Sequence, residues 1–140
     1  MFEGENVTKK LAIAFGAVLL FVGILGFVPA VTPNGLLLGI FAVDTEHNVI
    51  HLVSGAAAII AGLGTYRAAR TFFQVFGVLY GLVAVFGFTV HPHAGGTDQL
   101  FGLIAINMAD NLLHVAISLF ALFMGFAARH GTPVTVRHVR

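Results

Sequence analysis

The side chains in this chain best suited to chemistry are imidazoles, and they are placed in a repeated setting. The stretches "DTEHNVIHL" (44–52) and "NMADNLLHV" (107–115) each carry an Asn followed three positions later by a His, at the mouth of a long apolar run. Residues three apart are neighbours on a helix face, so Asn48 would stand beside His51, and Asn111 beside His114. Two imidazoles on facing helices can ligate a haem axially or begin a divalent metal site. His47 lies four positions before His51, a second spacing that suits ligation, and His91 and His93 in "HPHAGG" bring further nitrogens. His51 and His114 are therefore the first candidates for a haem or a divalent metal. His47, His91 and His93 are secondary ones, with all five expected to converge on one side. A structural clasp competes with this: Asn48, His51, Asn111 and His114 would hydrogen-bond across to the facing helix or to an incoming loop. A His within a membrane span is costly and marks function by default, yet at about one or two turns of depth water or a loop carbonyl can satisfy it.

Such helices must sit in a bilayer. The chain has 140 residues, 58% of them hydrophobic and only 9% charged, whereas soluble domains are about a quarter charged. This is the composition of an integral membrane protein. Its partners are then the lipid bilayer and possible further membrane subunits or copies of itself, and the net charge of +1 gives no reason to expect nucleic acid. With no Cys there is no disulfide, thiolate metal site or thiol nucleophile.

Four runs approach the ~20 apolar residues that cross a ~30 Å hydrocarbon core: Leu11 to Pro29, Asn48 to Gly64, Thr71 to Val90 and Asn111 to Ala128. The second is short and should extend back toward Asp44. The first is too long for the ~7–15-residue apolar region of a signal peptide. All seven Lys and Arg fall on one side of this arrangement. Lys9 and Lys10 precede span one, Arg67 and Arg70 lie between spans two and three, and Arg129, Arg137 and Arg140 follow span four. The positive-inside rule then places both termini in the cytoplasm. The Asn-x-x-His pairs fall at the outer ends of spans two and four.

Sliding the sequence by 63 positions lays "LLGIFAVDTEHNVIHLVSGAAAIIAG" on "LFGLIAINMADNLLHVAISLFALFMG", and a slide of 61 lays span one on span three. The expected architecture is an all-α bundle of four transmembrane helices in one domain (1–140). It is read as two parallel two-helix repeats, about 11–64 and 71–128, with a basic cytoplasmic tail at 129–140. The axis relating such repeats runs along the membrane normal. Before each motif lies a short apolar segment, "GLLLGIFAV" (35–43) or "LFGLIAI" (100–106), expected to form an interfacial helix or hydrophobic turn on the outer surface. Asp44 and Asn107 then read as helix N-caps.

On span two His51, Gly55, Ala58 and Gly62 share a face, and on span four His114, Ser118, Ala121 and Gly125 do. Small residues mark close helix approach in membranes, so each His should point at protein. Transport is a weaker reading, because a pore needs more polar lining than Gln74, Tyr80, Thr89 and the span Ser residues provide. No Ser-His-acid spacing, phosphate loop or nucleotide motif appears, so no catalytic residue and no enzyme activity are expected. His130 and His138 read as part of a solvated tail.

The pattern hydrophobic-Gly, Asp/Asn, Asn-x-x-His, Gly, written twice with "FGVLYGLVAVFGF" between, resembles domain of unknown function family 4383, small bacterial four-helix membrane proteins. "HNVIHLVSGAAAIIAG" and "MADNLLHVAISL" carry the resemblance, which spans about Leu11 to Ala128. His47 departs from it, since the family more often has Asp there, as Asp110 stands in the second half. The resemblance implies a fold and a bacterial inner-membrane location, and no activity. The resulting expectation is a non-enzymatic membrane scaffold or accessory subunit, with a haem- or metal-binding protein using His51 and His114 as the alternative.

Overall fold

The computed structural model describes residues 3–91 and 93–127. The basic tail, with Arg129, His130, Arg137, His138 and Arg140, lies outside them. Helix α1 spans Glu3–Leu25, α2 Thr45–Leu63, α3 Tyr66–Val90 and α4 Met108–Leu122, the last running on through a π-helical turn at Phe123–Ala127. All four are long and apolar enough to cross a membrane. Their outward faces are apolar, with Phe21, Val53, Ile60, Leu119 and Phe123 all exposed. A soluble protein could not leave such a surface in water.

The helices pack in two tight pairs, and glycine makes each pair possible. A Cβ at Gly16 would lie 2.6 Å from the Gly55 carbonyl oxygen, and one at Gly62 would lie 2.8 Å from that of Lys9, so α1 and α2 touch backbone to backbone. At Gly77 it would meet Leu122, and at Gly125 it would meet Gln74, joining α3 to α4 in the same manner. The Gly77-x-x-x-Gly81 stripe is thus spent inside the chain: Gly81 faces Ser118, whose hydroxyl donates to the Gly77 carbonyl at 2.7 Å. Away from the histidines the core is aromatic. Phe15 contacts Phe72, Phe73, Phe76 and Phe120, mostly edge to face, with ring centroids 5.0 to 6.4 Å apart.

Three expectations need correction. The fold is mostly but not purely helical: of the interfacial helix or hydrophobic turn expected for the short apolar segments, the turn is what forms, built into antiparallel β-hairpins. Strand β1 (Leu36–Leu37) pairs with β2 (Phe41–Ala42), and β3 (Asp98–Leu100) with β4 (Ile104–Ile106). Each turns on a large residue and a glycine at positive φ, Leu38-Gly39 and Phe101-Gly102, the backbone of a type I′ turn. Nor do the hairpins simply rest on the outer surface, since Leu37, Ala42, Leu100 and Ile106 are buried and plug the end of the bundle. Finally, α3 begins before the apolar run that starts at Thr71, so Arg67 and Arg70, placed between spans two and three, lie in its first turns. Gly64 ends α2, Thr65 caps α3 through a bond from the Ala68 amide to its hydroxyl, and no longer linker remains.

Candidate metal centre

The hairpins and the entrances of α2 and α4 lock together, and this positions the imidazoles. Asp44 caps α2: its Oδ1 accepts from the His47 amide, while its Oδ2 accepts from Ala105 N of the second hairpin. Asn107 caps α4 in a reciprocal box with Asp110. Asp110 Oδ2 also accepts from Ala42 N of the first hairpin at 2.9 Å, and Asn107 Nδ2 donates to the Ile40 carbonyl. Each hairpin therefore closes over the entrance of the helix belonging to the other half.

The Asn of each motif does not face across to the other helix pair. Asn48 fills the space against Gly26, where any Cβ would overlap its carboxamide, and Asn111 does the same against Gly87. Asn111 Nδ2 also reaches the His91 carbonyl at 3.4 Å, so its partner is the loop after α3. These Asn side chains seat α1 on α2 and α3 on α4.

The His of each motif does face inward. His51 and His114 are buried, and so is His47. The His47 and His51 rings stack with centroids 4.9 Å apart, and the His47 and His114 rings are tilted at 5.9 Å. Each of the three offers a nitrogen, and these atoms all lie within 4.8 Å of one another. His47 Nδ1 sits 2.9 Å from the Ala105 carbonyl oxygen. That oxygen can only accept, so Nδ1 donates to it, and in the neutral tautomer this leaves the lone pair on Nε2. A ring nitrogen held by a backbone carbonyl, leaving the other free, is the usual arrangement of a metal-ligating His. His51 Nδ1 and His114 Nδ1 are buried with no hydrogen-bond partner. Buried polar atoms in this state are costly unless something occupies them.

Around this trio lie one carboxylate, one aromatic edge and two apolar cavities. The Tyr80 ring meets His114 edge to face at 5.5 Å, and its hydroxyl is 3.1 Å from Ser54 Oγ. A cavity of about 360 Å³ on the α2/α3 side is lined by His47, Tyr80, Ser54 and His114. Another, of about 190 Å³ between α1 and α4, is lined by all three His and by Asp110. Asp110 thus brings a carboxylate to the edge of the trio, suitable for holding a cation.

Of the five His expected on one side, His91 and His93 form a separate pair. His91 is buried, and its Nδ1 pairs with Asp98 Oδ2 at 2.6 Å, while the His93 ring lies 5.4 Å from its own. Among the described residues, the group close enough to share one ion is His47, His51 and His114. Sequence reasoning ranked His47 second because only one His per half is repeated. Its i, i+4 spacing to His51 was the signal for it. Asp110, which lines the cavity beside the trio, was not among the candidate site residues, and its alignment with His47 was the available clue. The family described as Domain of unknown function (DUF4383) matches residues 9–127, and the chain belongs to it. No curated protein and no solved structure matches the chain.

Proposed function

We propose that this DUF4383 member is a small, non-enzymatic membrane protein that holds a divalent first-row transition-metal ion, such as zinc or copper, between His47, His51 and His114. One observation carries the reading: three buried imidazole nitrogens lie within 4.8 Å, two of the rings having an unpartnered Nδ1. Metal–imidazole bonds of about 2.0–2.1 Å place tetrahedral ligands about 3.4 Å apart, so closing on an ion takes roughly an ångström of side-chain movement. Imidazole suits zinc, copper, nickel and iron, and three protein ligands leave a fourth position open. A haem fits less well. The His47 ring, stacked on His51 and close to His114, crowds the space a flat macrocycle would need between two axial ligands.

The proposed setting is the bacterial inner membrane, with both termini cytoplasmic and the His trio near the outer face. The seven basic side chains lying on one side support this orientation. The likeness of the two halves supports an origin in two parallel repeats. Matched positions do matched work: Asn48 and Asn111 sit on Gly26 and Gly87, and Leu38-Gly39 and Phe101-Gly102 make the two turns.

A second reading is a scaffold or accessory subunit whose polar groups only clasp helices. It is favoured by Asp44, Asn107, Asp110 and Asn111, which all bond within the bundle. In that reading water meets the two Nδ1 atoms. Metal analysis separates the readings. Detergent-purified protein, stripped with chelator and reloaded with Zn²⁺, Cu²⁺ or Co²⁺, should retain about one ion per chain, with a tetrahedral cobalt spectrum. Retention should vanish in His51→Ala and His114→Ala. Protein that binds none of these ions, or His variants that bind them as tightly as wild type, would refute the metal centre.

A further inference from the structure

The second feature that the bundle's own packing leaves unexplained is the seam between α2 and α3. Glycine contacts draw α1 onto α2 and α3 onto α4, as described above, and the close ones do not join α2 to α3. Along this seam runs an open cavity of about 630 Å³. Its walls are apolar, with Val53, Ala57 and Ala61 on α2 facing Ala68, Val75 and Leu79 on α3. The small alanines hold the seam open. At one end is Arg67, and at the other is the Ser54–Tyr80 hydroxyl pair.

Arg67 differs from Arg70, its neighbour one turn on. Arg70 Nε donates to the Gly125 carbonyl at 2.8 Å and so ties α3 to the end of α4. Arg67 is exposed, with no hydrogen bond or ion pair to any described residue. A strongly hydrated cation thus stands at the mouth of an apolar trough. The distance along α3 from Arg67 to Tyr80 is about 20 Å at 1.5 Å per residue. That matches about half of a 40–45 Å bilayer counted with its headgroups. Basic sites between transmembrane helices hold anionic lipid headgroups, and here charge, length and apolar lining belong to one continuous groove.

We propose that the α2/α3 groove binds one acyl chain of an anionic phospholipid from the leaflet at the basic end of the bundle, with Arg67 holding its phosphate group. The chain runs between the helices toward Ser54 and Tyr80, and fills the space that helix packing leaves open. The inner end of the groove borders the His47–His114 cavity at Ser54 and Tyr80, whereas its phosphate-holding end at Arg67 lies apart from the His trio.

The test uses the full chain in mild detergent, offered phosphatidylglycerol and phosphatidylcholine of equal chain length, with bound lipid read by native mass spectrometry. Wild type should retain one phosphatidylglycerol in preference to phosphatidylcholine. Arg67→Gln should lower that preference about fivefold, the effect of one basic side chain at a membrane surface. Ala57→Trp, which fills the groove, should abolish retention of both lipids. Val18→Trp, on the outward face of α1, should change nothing. Helical circular dichroism checks that each variant folds, and the milder Ala61→Leu should reduce retention if Ala57→Trp does not fold. Equal retention of the two lipids by wild type, or retention unaltered by filling the groove, would overturn the proposal and leave only the ordinary lipid annulus. Zinc content measured on the same samples should be unchanged in every variant, so loss of lipid binding and loss of metal binding are read separately.

Discussion

At the entrance to α2, Asp44 caps the helix, His47 stands one turn in, and Asn48 and His51 follow. At the entrance to α4 the same four places hold Asn107, Asp110, Asn111 and His114. Two of the pairs are alike and do the same work, the Asn residues as seats on glycine and the His residues as inward nitrogens. The other two differ, and the difference makes the site. Both residues of the second position reach across to the alanine of the opposite hairpin. His47 donates to the Ala105 carbonyl, whereas Asp110 accepts from the Ala42 amide. One backbone position is thus read through its carbonyl in one half and through its amide in the other. Strict symmetry would have given two imidazoles and two carboxylates. The departure gives three imidazoles and one carboxylate at these positions, the nitrogen-rich set on which the proposed metal site rests.

The largest break in this comparison is removal of a repeated His. His114→Ala should take bound zinc from about one ion per chain to none in elemental analysis, and His51→Ala should match it. Next come the two seats. Gly26→Ala and Gly87→Ala each drive a methyl into an Asn carboxamide. Both should destabilise the protein in detergent by about 3 kcal/mol, the upper range for overpacking, and to similar extents if the halves are equivalent. A large gap between the two in thermal unfolding would show that only one half carries the fold.

Making the halves alike is the third test. His47→Asp restores the residue of the second half but turns a carboxylate toward the Ala105 carbonyl. His47 is one of the three proposed ligands, so zinc affinity should fall by about a hundredfold or more, at least the upper range for losing a mere supporting group, and an unchanged titration would remove His47 from the site. Asp110→Asn keeps an oxygen that can accept from the Asn107 and Ala42 amides while removing the charge. Its zinc affinity should fall about tenfold with little change in stability. The smallest effect separates the Asn residues. Both Oδ1 atoms are buried without a partner, but Asn111 Nδ2 donates to the His91 carbonyl whereas no such bond holds Asn48 among the described residues. Asn111→Ala should therefore cost about 0.5–1 kcal/mol more than Asn48→Ala, as measured by denaturation in detergent.

Much of this architecture was legible in order. Four apolar runs, glycines at close spacing and caps at Asp44 and Asn107 all follow from local rules of length, volume and hydrogen bonding. The hairpins were not legible. A type I′ turn is signalled by Asn-Gly or Asp-Gly, and here Leu38 and Phe101 occupy the left-handed positions, a conformation large residues seldom adopt. A short apolar segment reads equally well as an interfacial helix, and only the burial of Leu37, Leu100 and Ile106 against the bundle decides for strands. The boundary of α3 was misplaced for a related reason. The apolar run begins only at Thr71, after Arg67 and Arg70, but Thr65 begins the helix before them.

By itself the sequence determined the solvent in which the chain folds, the number of helices and the inward placement of His51 and His114. Each is a matter of composition or of periodicity within one helix. Only the tertiary structure decided which nitrogens meet. His47 joins His51 through helical spacing but meets His114 only because folding brings the entrances of α2 and α4 together. Its free nitrogen is then selected by a carbonyl 58 residues away, at Ala105. Hydrogen bonds that cross between hairpin and helix leave no period in the chain, because each partner satisfies its own local pattern and the distance between them is closed only by folding.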